Sequence, residues 1–253
     1  MDSNATHANP AFSEAAAWNV FDANVRLGPS GLHGELALGA AGLLEEMDRF
    51  GIRRALVSSF PAEEYNAEDG NDLLAAEAHD RFVPAWAALP ELLPGLARRN
   101  PAAVRLAFGV KKHNFSPSPW CSGELYDYFE ANSILTLILR EDIEWDSLDR
   151  LLGGFPRLPV LLLETGYRAE RYLFPLFKQH ENLYVDTSTL LAHRQLESMV
   201  EKLGPERLLF GSRLPLYTPG AALGVLATAR ISDEARLAIA GGTLRRLLGR
   251  ENP

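Results

Sequence analysis

Short apolar runs alternate with longer amphipathic ones along almost the whole chain. Eight of the short runs read as buried parallel strands: 18–25 (WNVFDANV), 53–60 (RRALVSSF), 82–90 (FVPAWAALP), 104–114 (VRLAFGVKKHN), 134–142 (ILTLILRED), 159–166 (PVLLLETG), 182–188 (NLYVDTS) and 207–215 (RLLFGSRLP). Their aliphatic stretches are nearly continuous, the pattern of strands covered on both faces. Between them lie runs with helical spacing. The first, 41–51, puts Leu43, Leu44, Met47 and Phe50 on one side and stops at Gly51, a residue suited to a left-handed helix end. Further helices are expected over 71–80, with Asn71 or Asp69 as cap, and over 92–99, 123–132, 145–155, 169–180 and 194–204. Pro175 predicts a kink in the sixth of these seven, and the chain from about Gly220 onward reads as helical with a turn near Ile231.

This alternation, in 253 residues, predicts an α/β chain closed into one (β/α)8 TIM barrel over 18–253, with a flexible lead-in over 1–17. The rival is an open doubly wound sheet. Against it, neither G-x-G-x-x-G nor G-x-x-x-x-G-K-[ST] follows any strand.

Composition narrows the function classes. With 47% hydrophobic residues the chain can bury a sizeable core. A net charge of -8 without any Lys/Arg-rich run argues against nucleic-acid binding. Cys121 is the single cysteine, so neither an intrachain disulfide nor a cysteine-based metal cluster can form. No apolar run has the length of a membrane span, and residues 1–17 lack the basic-then-apolar order of a secretory signal. The expectation is a cytoplasmic protein with no membrane partner.

In such a barrel, functional side chains sit at the C-terminal strand ends. Period two puts Asp22, Asn24 and Arg26 on one face of the first strand. The fourth ends with Lys111 and His113, the fifth with Arg140, the sixth with Glu164, the seventh with Asp186 and Ser188, and the eighth with Arg213. Cations outnumber carboxylates among them. Guanidinium groups cannot ligate a metal ion, but they grip carboxylates and phosphates in a bidentate fork. Neither Ser188 nor Ser212 lies in a G-x-S-x-G elbow, which leaves a serine hydrolase without support.

These strand ends resemble the amidohydrolase-related family, whose members are metal-dependent TIM-barrel hydrolases and decarboxylases. FDANVRLG, 21–28, stands where that family has D-x-H-x-H-x-G. FGVKKHN resembles G-[IV]-K-x-H, NLYVDTS resembles the seventh strand, and GPERLLFGSRLP is similar to G-x-x-R-[IL]-L-F-G-S-D-x-P. The resemblance implies the barrel fold, a hydrolase label and a homodimer. It also implies a metal site, and the departures fall on its ligands. Asn24 and Arg26 replace the first-strand histidines, Arg140 the fifth-strand histidine, Glu164 the sixth-strand histidine and Arg213 the eighth-strand aspartate.

Three readings follow. In one, Asn24, Arg26, Arg140, Arg213 and Asp186 bind a small carboxylate or phosphate, with Lys111, Glu164 and His113 as candidate catalytic groups and no cofactor or metal. In another, the arginines pair with Asp22, Glu164 and Asp186 in a non-catalytic scaffold. In the third, the protein is a conventional metallohydrolase whose ligands lie elsewhere.

Overall fold

The computed structural model describes residues 15–34 and 36–249. Most of the expected lead-in over 1–17 lies outside the described residues, as do Glu35 and the last four positions. In chain order the strands are β1 (Val20–Pro29), β2 (Ala37–Leu38), β3 (Ile52–Ser59), β4 (Phe82–Ala87), β5 (Ala103–Leu106), β6 (Leu135–Leu139), β7 (Val160–Leu163), β8 (Leu183–Asp186) and β9 (Leu208–Leu209). All but β2 pair in parallel with their chain neighbours, and β2 pairs antiparallel with the end of β1. Three backbone bonds close the sheet on itself: Ala23 N–H to the Phe210 carbonyl at 2.8 Å, Arg213 N–H to Asn24 at 3.0 Å and Arg26 N–H to Leu214 at 2.9 Å. The expected (β/α)8 barrel is the observed fold.

Period-two alternation sorts the strand residues into two apolar clusters. Leu56, Val83, Ala85, Ala103, Leu135, Leu137, Leu161, Leu163 and Leu209 pack together inside the barrel, with Leu244 among them. Their strand neighbours Ala55, Val57, Val104, Ile138, Val160, Leu162, Val185 and Leu208 pack outward against the helices. The same alternation continues the interior face from Leu56 to Ser58 and from Ala103 to Arg105, both buried. Polar groups thus begin where the apolar interior layers stop.

The helices are α1 (Ala40–Phe50), α2 (Phe60–Glu64), α3 (Ala67–Ala76), α4 (Leu93–Arg98), α5 (Pro119–Ala131), α6 (Trp145–Gly154), α7 (Glu170–Gln179), α8 (Gln195–Leu203), α9 (Pro219–Thr228), α10 (Asp233–Leu237) and α11 (Thr243–Leu247). Gly51 ends α1 in the left-handed region, at φ 69°. The third helix starts earlier than its apolar pattern suggests. Asn66, rather than Asn71 or Asp69, is its cap, accepting from the N–H groups of Glu68 and Asp69. Pro175 lies inside α7 as expected.

The fourth strand is much shorter than the run 104–114 predicted. It stops at Leu106, and the chain folds back through N–H bonds from Lys112 and Asn114 to the Gly109 carbonyl. Lys111 and His113 therefore sit in a turn rather than on a strand face.

One close approach matters for the site. A Cβ on Gly70 would lie 2.1 Å from the Ala62 backbone nitrogen, so α3 packs directly on α2. That contact fixes the short helix carrying Glu63, whose first turn is capped by Ser59. We expect Gly70→Ala to destabilise the protein by about 1–3 kcal/mol, measured by urea unfolding, because backbone must move to admit the methyl group.

Candidate functional site

At the C-terminal end of the barrel, β1 delivers Asp22, Asn24 and Arg26, all buried. Arg26 donates to Glu164 Oε1 at 2.9 Å and lies 3.4 Å from Glu63 Oε1. Arg105, on the interior face of β5, pairs with the same Glu63 oxygen at 2.9 Å. Ser58 of β3 adds a third donor to that oxygen, at 2.7 Å. Arg213 takes the other oxygen of Glu164 at 2.7 Å. Asn24 links these groups: its amide donates to Asp186 at 3.0 Å and to Glu164 at 3.3 Å, and its carbonyl faces Arg105 at 3.4 Å.

Both members of the Glu164–Arg213 pair have left-handed backbone, at φ 56° and 63°. Such a conformation costs on the order of 1–3 kcal/mol for each non-glycine residue. Main-chain bonds hold it: Glu164 N–H donates to Asp186 Oδ1 at 2.8 Å, and Arg213 N–H to the Asn24 carbonyl at 3.0 Å. Gly211 makes room, since a Cβ there would lie 2.6 Å from Asp186 Oδ2.

The charges divide into two kinds. Burial works to raise the pKa of Glu164, but Arg26, then Arg213 and Arg105, outweigh it and hold the carboxyl at about 2. Glu63 behaves alike: Arg105 and Arg26 overcome its burial and lower its pKa. Asp22 and Asp186 form no ion pair among the described residues. Burial pushes Asp22 up to about 7 and Asp186 up to about 6. Burial also draws Arg105 down to about 10, with Arg26 adding repulsion.

Not every predicted residue joins this cluster. The arginines do not pair with Asp22 or Asp186 as one reading expected; Asp22 instead accepts N–H bonds from Asn24 and Ser212, each at 3.0 Å. Arg140 stands apart. It heads a short 3-10 turn, donates to the Ile143 carbonyl at 2.5 Å and lies over the Trp145 ring, 4.1 Å from its centroid. Lys111 is exposed at the rim. Its neighbour Lys112 is the buried lysine, paired with Asp142 at 2.8 Å and Glu141 at 3.2 Å. His113 donates from Nε2 to the Ala62 carbonyl at 2.6 Å, tying the turn to α2. Arg105 and Glu63 were missed by sequence reading, although an arginine inside the apolar run AAVRLAF was a signal for an interior charge.

Above the cluster lies a cleft of about 310 Å³. Arg26, Arg213, Lys111 and Lys112 face it together with Glu63 and Glu164, and Leu32, Phe60, Leu139 and Leu216 form its apolar wall. His33, on the loop after β1, lines it too. Arg26 Nη1, Arg105 Nη2 and Asp22 Oδ2 are buried without a hydrogen-bond partner among the described residues.

A barrel with its polar cluster at the C-terminal strand ends defines the class, and sequence comparison gives the family. The family model described as Amidohydrolase matches residues 7–250, and the chain belongs to that family. No curated protein matches it. Among solved structures it is similar to an uncharacterised TIM-barrel protein from Bordetella bronchiseptica, at 17% identity over 92% of this chain and 99% of that one, with a TM-score of 0.74. A 2,6-dihydroxybenzoate decarboxylase complexed with 2,6-dihydroxybenzoate matches at 16% identity over 92% and 99%, with a TM-score of 0.75. A dihydroxybenzoic acid decarboxylase from a Polaromonas species, with bound manganese and 2-nitroresorcinol, matches at 17% identity over 93% and 98%, with a TM-score of 0.73. Among the described residues of this chain no helix is long and apolar enough to cross a membrane.

A divalent cation does not fit the donor set found here. It needs several free oxygen, nitrogen or sulfur lone pairs around one point. Both Glu164 oxygens already face guanidinium groups, Glu63 Oε1 has three donors, and both Asp186 oxygens accept N–H bonds. Among the described residues no three His, Cys, Asp or Glu side chains gather as a metal site.

The two unpaired aspartates set a pH dependence of stability. Their folded pKa values lie above the ordinary 3.8, so the folded state holds more protons than the unfolded chain between about pH 4 and 7. Stability therefore falls as pH rises through that window. Glu164 has the opposite sign, but its contribution is complete above its ordinary value of 4.5. We expect wild type to lose on the order of 3 kcal/mol through Asp22 and about 2 kcal/mol through Asp186 from pH 4.5 to 8, read by urea unfolding, and Asp22→Asn to flatten that slope.

Proposed function

We propose that this chain binds a small organic anion, a carboxylate or phosphate, at the barrel mouth through Arg26, Arg213 and Lys111, and does so without a metal. The observation that carries this reading is that three guanidinium groups share two ion-pair partners. Among the described residues, Arg26, Arg105 and Arg213 converge on just two carboxylates, Glu63 and Glu164, and Arg26 Nη1 is left buried and unpartnered where its side chain lines the cleft. A buried donor of this kind is strongly favoured to take a charged acceptor. The apolar wall opposite suits the hydrocarbon portion of such an acid. Relatives named for decarboxylation of dihydroxybenzoate also handle a carboxylate, which supports the ligand class.

Ordinary metal-assisted hydrolysis has little support in these residues. Its usual agent is a metal-bound water of lowered pKa, and guanidinium groups cannot produce one. Glu164, held at about 2, is a weak base near neutrality. His113 has one ring nitrogen committed to Ala62. The reading is therefore of binding first, with Lys111 as an anion ligand at the rim and Glu164 as the carboxylate that positions two guanidinium groups. A scaffold role is favoured by one observation, the double ion pair on Glu164, which already engages the guanidinium groups a ligand would take.

The two readings separate in a melting experiment. Acetate, benzoate, phosphate and sulfate are added at millimolar concentration to the purified chain. Saturation a hundredfold above Kd gives about 2.7 kcal/mol of stabilisation. We expect a saturable rise in Tm with at least one carboxylate or phosphate, and its loss in Arg213→Gln. Indifference to every anion would favour the scaffold. Stoichiometric zinc or manganese in the purified protein would overturn the metal-free assignment.

A further inference from the structure

The buried cluster has a charge balance that bears on how an anion enters. Its guanidinium groups are Arg26 from β1, Arg105 from β5 and Arg213 beyond β9. Its carboxylates are Asp22 from β1, Glu63 from α2, Glu164 at the end of β7 and Asp186 from β8. Lys112, paired with Asp142 and Glu141, the exposed Lys111, His33 and Glu64, which accepts from the Ser30 hydroxyl and the Gly31 N–H, are the other charged or titratable groups around the cleft. With all four carboxylates ionised, negative charge in the buried cluster exceeds that of its three guanidinium groups by a single unit. A further anion would then meet net repulsion in a poorly solvated place.

The geometry identifies which carboxylates can relieve that excess. Glu63 and Glu164 are fixed by arginines. Asp22 and Asp186 are buried without a cation of their own among the described residues, and each raises the cost of ionising the other. Asp22 Oδ2 has no hydrogen-bond partner among the described residues. Asp186 reaches the ligand-facing arginines by a short path. It shares the Asn24 amide with Glu164 and accepts the Glu164 N–H, and Glu164 holds Arg26 and Arg213. An incoming anion draws those guanidinium groups toward itself, leaves Glu164 less compensated, and makes a negative Asp186 more costly.

Resting on the anion-site reading above, we propose that the barrel mouth takes up its anion together with a proton, which the Asp22–Asp186 pair carries. The proton comes from solvent and forms an O–H bond on one of these carboxyl groups; no other bond is made or broken. The buried pKa values near neutrality agree with this, because the pair changes its protonation where an anion could shift it. By linkage, a proton that favours the anion is favoured by it to the same extent.

The test is calorimetric titration of the full chain with sodium benzoate, whose charge is constant from about pH 6 to 8.5. Buffers of different ionisation heat report the protons exchanged. We expect about one proton taken up per benzoate bound at pH 8, and affinity falling about tenfold per pH unit above neutrality. Asp186→Asn, which mimics the protonated carboxyl, is expected to bind more tightly than wild type at pH 8 and to lose most of the pH dependence. Asp22→Asn serves as the second variant should Asp186→Asn fail to fold. Benzoate binding without proton uptake, or with uptake unchanged in these variants, would overturn the proposal and leave the anion site standing. Failure of benzoate, phosphate and sulfate to bind at any pH would overturn the anion site itself, and the coupling with it.

Discussion

Buried guanidinium groups must be neutralised where they stand, and the mouth of this barrel is arranged around that requirement. Arg105 projects from the middle of the sheet into the interior, beyond the reach of solvent. Its partner has to come from another element, and α2 supplies Glu63. The Ser59 cap and the close packing of Gly70 on Ala62 fix that helix in place. Removing one member of such a buried pair strands the other charge, which costs about 3–5 kcal/mol. The short helix after β3 therefore belongs to the site, supplying the Glu63 carboxylate and the Phe60 ring of the cleft wall.

The same polar groups close the barrel. β9 is short, and its junction with β1 relies on backbone bonds around Asn24 and Arg213. Asp22 accepts the Ser212 N–H across that seam, and Asp186 accepts the N–H of Glu164 between neighbouring strand ends. These carboxylates satisfy main-chain donors that would otherwise be buried unpaired. Two left-handed residues, Glu164 and Arg213, are tolerated because their ion pair and main-chain bonds hold both ends. Closure and site geometry are thus one set of interactions.

The barrel was legible because alternating apolar runs and helical spacing are local signals repeated along the chain. The register of β1 was legible too: Asp22, Asn24 and Arg26 do lie in the buried cluster, and Glu164, Asp186 and Arg213 join them. What failed was the assumption that strand character persists to the end of an apolar run. Gly109 and its carbonyl fold the chain after β5 into a turn, so Lys111 moves to the rim and Lys112 inward. Arg140 was assigned to the mouth by its place after a strand, but the 3-10 turn and the Trp145 ring direct it elsewhere. Glu63 was illegible for another reason. A glutamate in a five-residue helix has no periodic pattern around it, and only the tertiary fold shows which guanidinium it meets.

A divalent ion concentrates charge at a point and accepts lone pairs, so it can bind and acidify water. Guanidinium groups spread a comparable charge over directional N–H donors and accept nothing. A centre of the second kind presents donors to an anion but offers nothing that can bind and acidify water. Here Glu63 and Glu164 are counter-ions to arginine, and Asp22 and Asp186, left without an arginine among the described residues, are pushed toward protonation by burial. Under the proposed reading, such a site holds and balances negative charge, with protons as the adjustable component.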